Sequence, residues 1–498
     1  MHGESERQAV QMPESGHEGS HDGSQYDLIV IGSGPAGEKG AAQAAYFGKR
    51  VALIEKDSHY GGAAANTGTL PSKTLRESAL YLSGFKKRDL YGLGIGVEAK
   101  GKERVGAQDF LRRYHEVRDE ERERIGKNLE RHRVDPYRGA AQFVDPQTVS
   151  VRSRSGSEIK LTGAVFLIAT GTKPHRPPSY PWDDPRVYDS DTILGIGALP
   201  KSMLVVGGGV IGSEYACMFS ALGVAVTLVD GRNRLLGFLD VEVSEALQES
   251  MKTMGIDLLL GEDVVSAAAG KRMEVVLKKG GAREFDAVLI ASGRGGNTGE
   301  LELDKAGLTP DKRGLLAVDE FYRTAVPHIY AAGDVVGFPA LASTSMEQAR
   351  VAMTHAFDLK YKTGLARILP LGIYTIPECS CAGESEESLR EKKVPHVVGK
   401  ARYAQNARGF IIGDRDGFLK LIFHAESLKL LGVHCIGEQA TELIHVGLTA
   451  LLLEQGTDLF LNTCYNYPTL SEMYKYAAYD ALGRKARGEI WTAAAATG

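Results

Sequence analysis

A chain of 498 residues is long enough for about two to four domains and a sizeable core. Its apolar fraction of 43% and charged fraction of 24% are ordinary for a soluble protein. The net charge of -4 gives no electrostatic reason to expect nucleic acid or an anionic membrane as partner. Five cysteines, none in a C-x-x-C pair, argue against a disulfide framework and suit a reducing cytoplasm. No apolar run approaches the ~18 residues of a membrane span. The 59 glycines are well above the usual ~7% share and suit tight turns and close backbone approaches to ligands.

Residues 1–25 are polar, rich in Gly, Ser, Glu and His, and lack the apolar centre of a signal peptide; they are expected to be a disordered tail. From Tyr26, YDLIVIGSGPAGEKGAAQAAYFGKRVALIEKD predicts a buried strand, a glycine turn, a small-residue helix and a second strand ending at Glu55. The stretch GGAAANTGTLPSKTL, residues 61–75, follows and predicts a loop. It holds no strong nucleophile, base or metal ligand between Gly61 and Leu70. Residues 107–133 predict a solvated helix laced with i,i+4 ion pairs, with Phe110, Leu111, Tyr114, Val117, Ile125 and Leu129 as a sparse apolar stripe.

AVFLIATGTKP at 164–174 predicts a strand ending in a glycine turn. The strand–turn–helix–strand pattern then recurs as MLVVGGGVIGSEYACMFSALGVAVTLVDGR, ending at Asp230. Each acid stands 23 positions after the first glycine of its copy. Two such copies, each with a matched acid, predict two dinucleotide-binding units. Gly32 and Gly207 would make the tight turn, Gly34 and Gly209 would let backbone approach a pyrophosphate, and Gly37 and Gly212 would let helix pack on strand. Helix N-terminal N–H groups would face the phosphates, and Glu55 and Asp230 would accept hydrogen bonds from ribose hydroxyls.

AVLIASGRGGNT, with Gly293, and HIYAAGDVVGFPALAS, with Asp334 and Ala342, are two further strands ending in glycine turns. From about Leu371 the pattern changes to antiparallel strands (IYTIPECSCAG, GFLKLIFHAE, KLLGVHCIG) and a helix (ATELIHVGLTALLLEQG), a separate α+β domain. Cys379 and Cys381 would share one face of a strand; two small half-buried side chains is the plain reading, a redox or metal pair the alternative.

The two glycine fingerprints, the ATG turn, GRGGNT, AAGD and residues 61–75 together resemble the flavin-dependent pyridine nucleotide–disulfide oxidoreductases, from about Tyr26 to Arg484. That resemblance implies an α/β fold with FAD on the first unit, NAD(P) on the second and a C-terminal α+β dimerisation domain. It implies an FAD-binding domain at 26–200 and 290–365, an NAD(P)-binding domain at 201–289 and a dimerisation domain at 366–498. It assigns Gly32, Gly34, Gly37, Glu55, Lys73, Gly171, Asp334 and Ala342 to FAD, and Gly207, Gly209, Gly212, Asp230, Arg232 and Gly293 to NAD(P). Lys73 in P-S-K matches the lysine beside flavin N5, and Glu214 in GGGVIGSE its ion-pair partner. No metal is expected.

The family's redox disulfide reads roughly G-G-x-C-x-x-x-x-C-x-P-S-K, and its thiol acid–base is the histidine of H-P-x-x-x-E. Here those positions are Ala64, Thr69 and Tyr467. Disulfide exchange needs a thiolate and help for the departing thiol, and none of these side chains supplies either. Within the family, GTLPSKTLRE, RLLGFLD, GFPALASTSMEQAR, YTIPE and NYPTLSEMYKYAA resemble the soluble FAD-dependent pyridine nucleotide transhydrogenases, although members of that group commonly keep the first cysteine where this chain has Ala64. The implied reaction is ping-pong hydride transfer from NADPH to NAD⁺ through FAD in a cytoplasmic homodimer or larger assembly, with no nucleic acid or membrane partner. An FAD-dependent NAD(P)H oxidase or quinone reductase, and a non-enzymatic flavoprotein scaffold, are the alternatives.

Accepting both nucleotides poses an electrostatic problem at Asp230. A 2′-phosphate carries about -1.5 to -2 charge. At about 6 Å and an effective dielectric of ~20, each unit of it meets about 2.8 kcal/mol of repulsion. Arg232 and Arg234 follow within four residues. At least one, Arg232 by preference, is expected to meet the phosphate, with Asp230 turned aside or holding the arginine. Two solvated loop arginines are the alternative.

Overall fold

The computed structural model describes residues 25–84, 105–362 and 364–493; the polar stretch 1–24 lies outside them. The described residues divide into two compact units, one from 25–74, 111–175, 293–362 and 364–365, the other from 75–84, 105–110, 176–292 and 366–493.

In the first unit, five parallel strands run in the order Asp135–Arg138, Val51–Glu55, Gln25–Ile31, Glu158–Ile168, Ile329–Ala331. The hairpin Ala140–Asp145/Thr148–Arg152 pairs antiparallel with the start of Glu158–Ile168. The central strand Gln25–Ile31 is apolar from Leu28 to Ile31 because alternate residues there feed two cores. Leu28 and Val30 pack with the small residues of the helices Pro35–Tyr46 and Ala342–Ala356; Ile29 and Ile31 pack with Phe143, Val149 and Phe166. Each fully buried Leu or Ile contributes roughly 1.5–3 kcal/mol. The two helices meet closely because the contact is built from glycine and alanine: a Cβ on Gly40 would lie 3.5 Å from that of Ala349.

Two sequence expectations need correction here. Residues 61–75 are largely helical, in the short helix Gly62–Asn66 and the first turns of Thr69–Ser83. Three consecutive alanines favour helix, and Pro71 sits in a first turn, where its missing N–H leaves no bond unmade. The charged helix, Ala107–Arg131, is also more than a solvated rod. Phe110, Leu111, Tyr114, Ile125 and Leu129 of its stripe are buried. Its own ion pairs include the i,i+3 pairs Arg113–Glu116, Arg122–Asp119 and Arg124–Glu121 and the i,i+4 pair Lys127–Glu123. Other polar groups on it, among them Tyr114, Arg122 and Asn128, reach Asn66 and Glu38.

In the second unit, a parallel sheet runs Asp257–Leu260, Ala225–Asp230, Ser202–Val206, Ala287–Ile290, Val187–Asp189, and the antiparallel strands Val264–Ala269, Met273–Leu277 and Gly281–Phe285 form a separate three-stranded sheet. The C-terminal part is an antiparallel sheet of Leu371–Ile373, Glu378–Gly383, Leu430–Gly437, Phe418–His424 and His396–Arg402. The helices Ala440–Leu452 and Met473–Ala486 join it in one core. A Cβ at Gly399 would sit 1.9 Å from the Ala477 carbonyl, so that glycine sets how near the last helix lies to its strand. Among the described residues no helix is long and apolar enough to cross a membrane.

Candidate active site

The first fingerprint forms a cradle in the first unit. Gly32 has φ +100°, and a Cβ there would lie 2.4 Å from the Ala169 carbonyl oxygen, so only glycine can turn the chain at this strand end. Gly37 is held against the same turn, its would-be Cβ 1.8 Å from Gly32 O. Gly34 differs: its φ is an ordinary -63° and the one atom within 4 Å of its would-be Cβ is Gly62 Cα, at 3.9 Å. The space beside it is open, at the N-terminus of the helix Pro35–Tyr46, where unpaired N–H groups favour an anion.

Glu55 is buried. Its Oε2 accepts from Ser33 N at 3.0 Å and Ser33 Oγ at 2.5 Å, its Oε1 from Asp57 N at 2.8 Å. Burial pushes its carboxyl above the usual range, against those hydrogen bonds. Ser33, a fingerprint position with no role in the sequence pattern, also accepts from Gly61 N–H at Oγ, 3.1 Å, and so ties the acid to the segment that follows. That segment is clamped from the charged helix: Arg122 Nε donates to Asn66 Oδ1 at 2.7 Å and Tyr114 OH to Asn66 O at 3.1 Å. Asn128 Nδ2 donates to Glu38 Oε1 on the fingerprint helix at 2.8 Å.

The strand that ends at Ile168 leads into Thr170 and Gly171. Thr170 Oγ1 is buried without a hydrogen-bond partner, while Asn297 Nδ2 donates to the Thr170 carbonyl at 3.1 Å. Asp334, after Gly333, accepts from Thr172 Oγ1 at 3.2 Å; burial raises its carboxyl. The Gly293 carbonyl accepts from His175 N–H at 2.9 Å beside the strand pair Thr172–Pro174/Arg294–Gly296. Ala342 opens the helix Ala342–Ala356. Lys73 is half-buried on the helix Thr69–Ser83, its Nζ 3.4 Å from Ser72 Oγ.

The second unit repeats the cradle. Gly207 has φ +106° and a would-be Cβ 2.6 Å from Ala291 O; Gly212 lies against Gly207 O at 1.8 Å; Gly209 again faces open space, with no atom within 4 Å. Asp230 is buried at the end of its strand. Its Oδ2 accepts from Gly208 N–H at 2.5 Å, the counterpart of Ser33 N–H on Glu55. Arg232 clasps the same carboxylate through Nε and its terminal nitrogen at 2.8 and 2.7 Å. Burial pushes Asp230 up, but the Arg232 and Gly208 donors outweigh it and hold the carboxyl below its usual range. Glu214, buried on the helix Val210–Ala221, accepts from Tyr374 N–H at 2.9 Å.

Thiol chemistry has no place to start. Cys217, Cys379, Cys381 and Cys435 are buried, and burial pushes Cys217, Cys381 and Cys435 up to about 12 and Cys379 higher still. All four are therefore protonated near neutral pH, and no cysteine is disulfide-bonded. Cys379 and Cys381 sit on the Glu378–Gly383 strand as small core residues, the plain reading of that pair. Tyr467 is exposed, and among the described residues no His, Cys, Asp and Glu cluster could hold a metal.

Residues 26–356 match the pyridine nucleotide-disulphide oxidoreductase family and 369–478 match its dimerisation domain. The chain belongs to the pyridine nucleotide-disulphide oxidoreductases. It is 45% identical over 462 residues, 92% of its length and 98% of the relative's, to a soluble pyridine nucleotide transhydrogenase of Mycobacterium bovis. It is 43% identical over 464 residues, with the same coverage, to one of Chromohalobacter salexigens. Among solved structures, the HOCl-induced flavoprotein disulfide reductase RclA of Escherichia coli is similar, with TM-score 0.82, 26% identity, and 91% of this chain and 99% of that one covered. As a member of the pyridine nucleotide-disulphide oxidoreductases, the chain departs at Ala64, Thr69 and Tyr467, where the resemblance placed a disulfide and its base.

Proposed function

We propose that the chain catalyses hydride transfer between NADPH and NAD⁺ with FAD as the resident cofactor, in a homodimer. One observation carries this best: both glycine cradles are intact, while every position that would pass electrons on to a thiol is blank. The relatives named above carry the same activity in their names. An oxidase or quinone reductase is not favoured by any feature of the chain.

The residues fit the cofactor. The open space at Gly34, the helix N-terminus beside it and the orphaned Thr170 hydroxyl are features the protein alone leaves unused. Glu55 would accept from an adenosine ribose hydroxyl, Asp334 would hold the ribityl chain, and Gly171 and Ala342 would line the same ligand. When bound, the flavin supplies the hydride acceptor and donor. Lys73 would hold positive charge beside N5. On the second unit, Gly207, Gly209 and Gly212 would carry the pyrophosphate of either nucleotide, with Gly293 beside it. Asp230 and Arg232 would meet the adenosine 2′ position. No thiol at Ala64 or Thr69 would divert reducing equivalents from a second nucleotide in the same site.

The test is purified holoenzyme under nitrogen with NADPH and thio-NAD⁺. Thio-NADH should accumulate in proportion to NADPH consumed. Consumption that requires oxygen, with no thio-NADH formed, would replace this function with the oxidase one.

A further inference from the structure

Asp230 and Arg232 form a closed system of unusual completeness. Oδ1 accepts from Arg232 N–H at 2.7 Å and Arg232 Nε at 2.8 Å; Oδ2 accepts from Gly208 N–H at 2.5 Å and an Arg232 terminal nitrogen at 2.7 Å. A carboxylate offers about four lone-pair sites, and here all are taken. A ribose 2′-hydroxyl cannot donate to Asp230 while Arg232 is docked. The guanidinium has five N–H donors, of which Asp230 uses two, and the Arg232 side chain is 56% exposed against 6% for Asp230. Its outer edge is therefore free to take phosphate oxygens without breaking the pair. Arg234 is turned to another task, donating to the Gly237 carbonyl at 3.1 Å.

We propose that the Asp230–Arg232 pair is a two-position reader of the nucleotide 2′ group. Closed, it presents the outer edge of Arg232 to the 2′-phosphate of NADP(H). Open, with Arg232 swung into solvent, it bares Asp230 to the 2′-hydroxyl of NAD(H), while Gly208 N–H keeps the carboxylate in place. Docking Arg232 also cancels the charge that would repel the phosphate. One site thus serves both nucleotides without a separate pocket for each, and NAD(H) has to displace the side chain that NADP(H) uses. This rests on the transhydrogenase reading for its purpose but not for its test.

The test titrates NADP⁺ and NAD⁺ separately into oxidised holoenzyme, where no hydride moves. In Arg232→Ala the Kd for NADP⁺ should rise at least about tenfold, the loss expected for charge-assisted hydrogen bonds, while the Kd for NAD⁺ stays level or falls because nothing need be displaced. Arg232→Lys, which keeps the charge and loses the fork, should recover part of the NADP⁺ affinity. Equal weakening of both nucleotides would mean a structural role only, and an unchanged NADP⁺ Kd would put the phosphate elsewhere; either overturns the proposal. Failure of the hydride-transfer function would appear differently, as intact discrimination in these titrations with no thio-NADH formed.

Discussion

Lys73 is a half-buried cation in a stretch otherwise free of charge from Gly61 to Ser72. A charge that matters as hydride arrives should affect the step more than the encounter. Lys73→Met is therefore expected to slow flavin reduction by NADPH in stopped flow by more than it raises the NADPH Kd; equal rates in mutant and wild type would remove Lys73 from the step. The blank positions around it make a second prediction. Alkylating agents or arsenite, added after NADPH, should leave turnover nearly untouched, since the four buried thiols stay protonated and Cys464, the exposed one, has no partner thiol in the sequence pattern. Inhibition that appears only after reduction would contradict this and point to Cys379 and Cys381. At this scale the sequence was most legible where geometry is local. Gly37 meets Gly32 and Arg232 meets Asp230 within a few residues, and Gly32 is marked by the repeated fingerprint although the carbonyl it abuts belongs to Ala169. Ser33, which bonds to residues 22 and 28 positions away, left no mark that a local pattern could show.

Helix Ala107–Arg131 shows what charge counting misses at the level of an element. Alternating charges predicted self-pairing, and part of that holds. Yet Arg122, Tyr114 and Asn128 spend their hydrogen bonds on Asn66 and Glu38, 48 to 90 residues back in the chain. The positions were readable as helix; their partners were not, because nothing in a periodic pattern says which face meets which segment. The helical segment Gly62–Asn66 was likewise hidden by its glycines, although φ +101° at Gly61 and +53° at Gly62 serve its entry rather than a loop. Arg122→Ala should loosen that segment without melting the unit. A lost charged hydrogen bond of about 1–2 kcal/mol corresponds to roughly 5–30-fold faster amide exchange around residues 62–68. Exchange confined to wild-type rates there would show that the clamp bears no load.

Within the second unit, one buried lysine joins the nucleotide fold to the antiparallel sheet. Lys420, fully buried on the Phe418–His424 strand, reaches Asp240 at 2.9 and 2.8 Å, where that aspartate caps the helix Val241–Thr253, and Glu386 at 2.5 Å. Glu242 lies 2.7 Å from the same nitrogen but is 41% exposed and also paired with Lys400, so solvent screens it. Lys420 stands as a polar residue in an apolar strand, and its partners lie 180 and 34 residues away, beyond the reach of a local pattern. Burial pushes Glu386 up, but contacts with His396 and Lys420 outweigh it and hold the carboxyl well below its usual range. Burial lowers Lys420, and the carboxylates outweigh that and raise it. The signs then fix a pH window. A depressed carboxyl stabilises above its unfolded value of about 4.3 and the benefit fades as pH falls; a raised lysine stabilises below about 10.4 and fades above. Lys420→Met leaves the buried Asp240 without its cation, while Glu386 keeps Arg390 at 2.9 Å; the cost is about 3–5 kcal/mol near pH 7. Acid should rescue the mutant, because protonating a carboxylate at the vacated site removes the uncompensated charge that the wild type never carries. Thermal melts of both proteins at pH 7 and pH about 4.5 measure this: the Tm deficit of Lys420→Met should be large at the first and clearly smaller at the second. A deficit of equal size at both would mean that lost packing around the lysine stem, and not buried charge, is what the mutation removes.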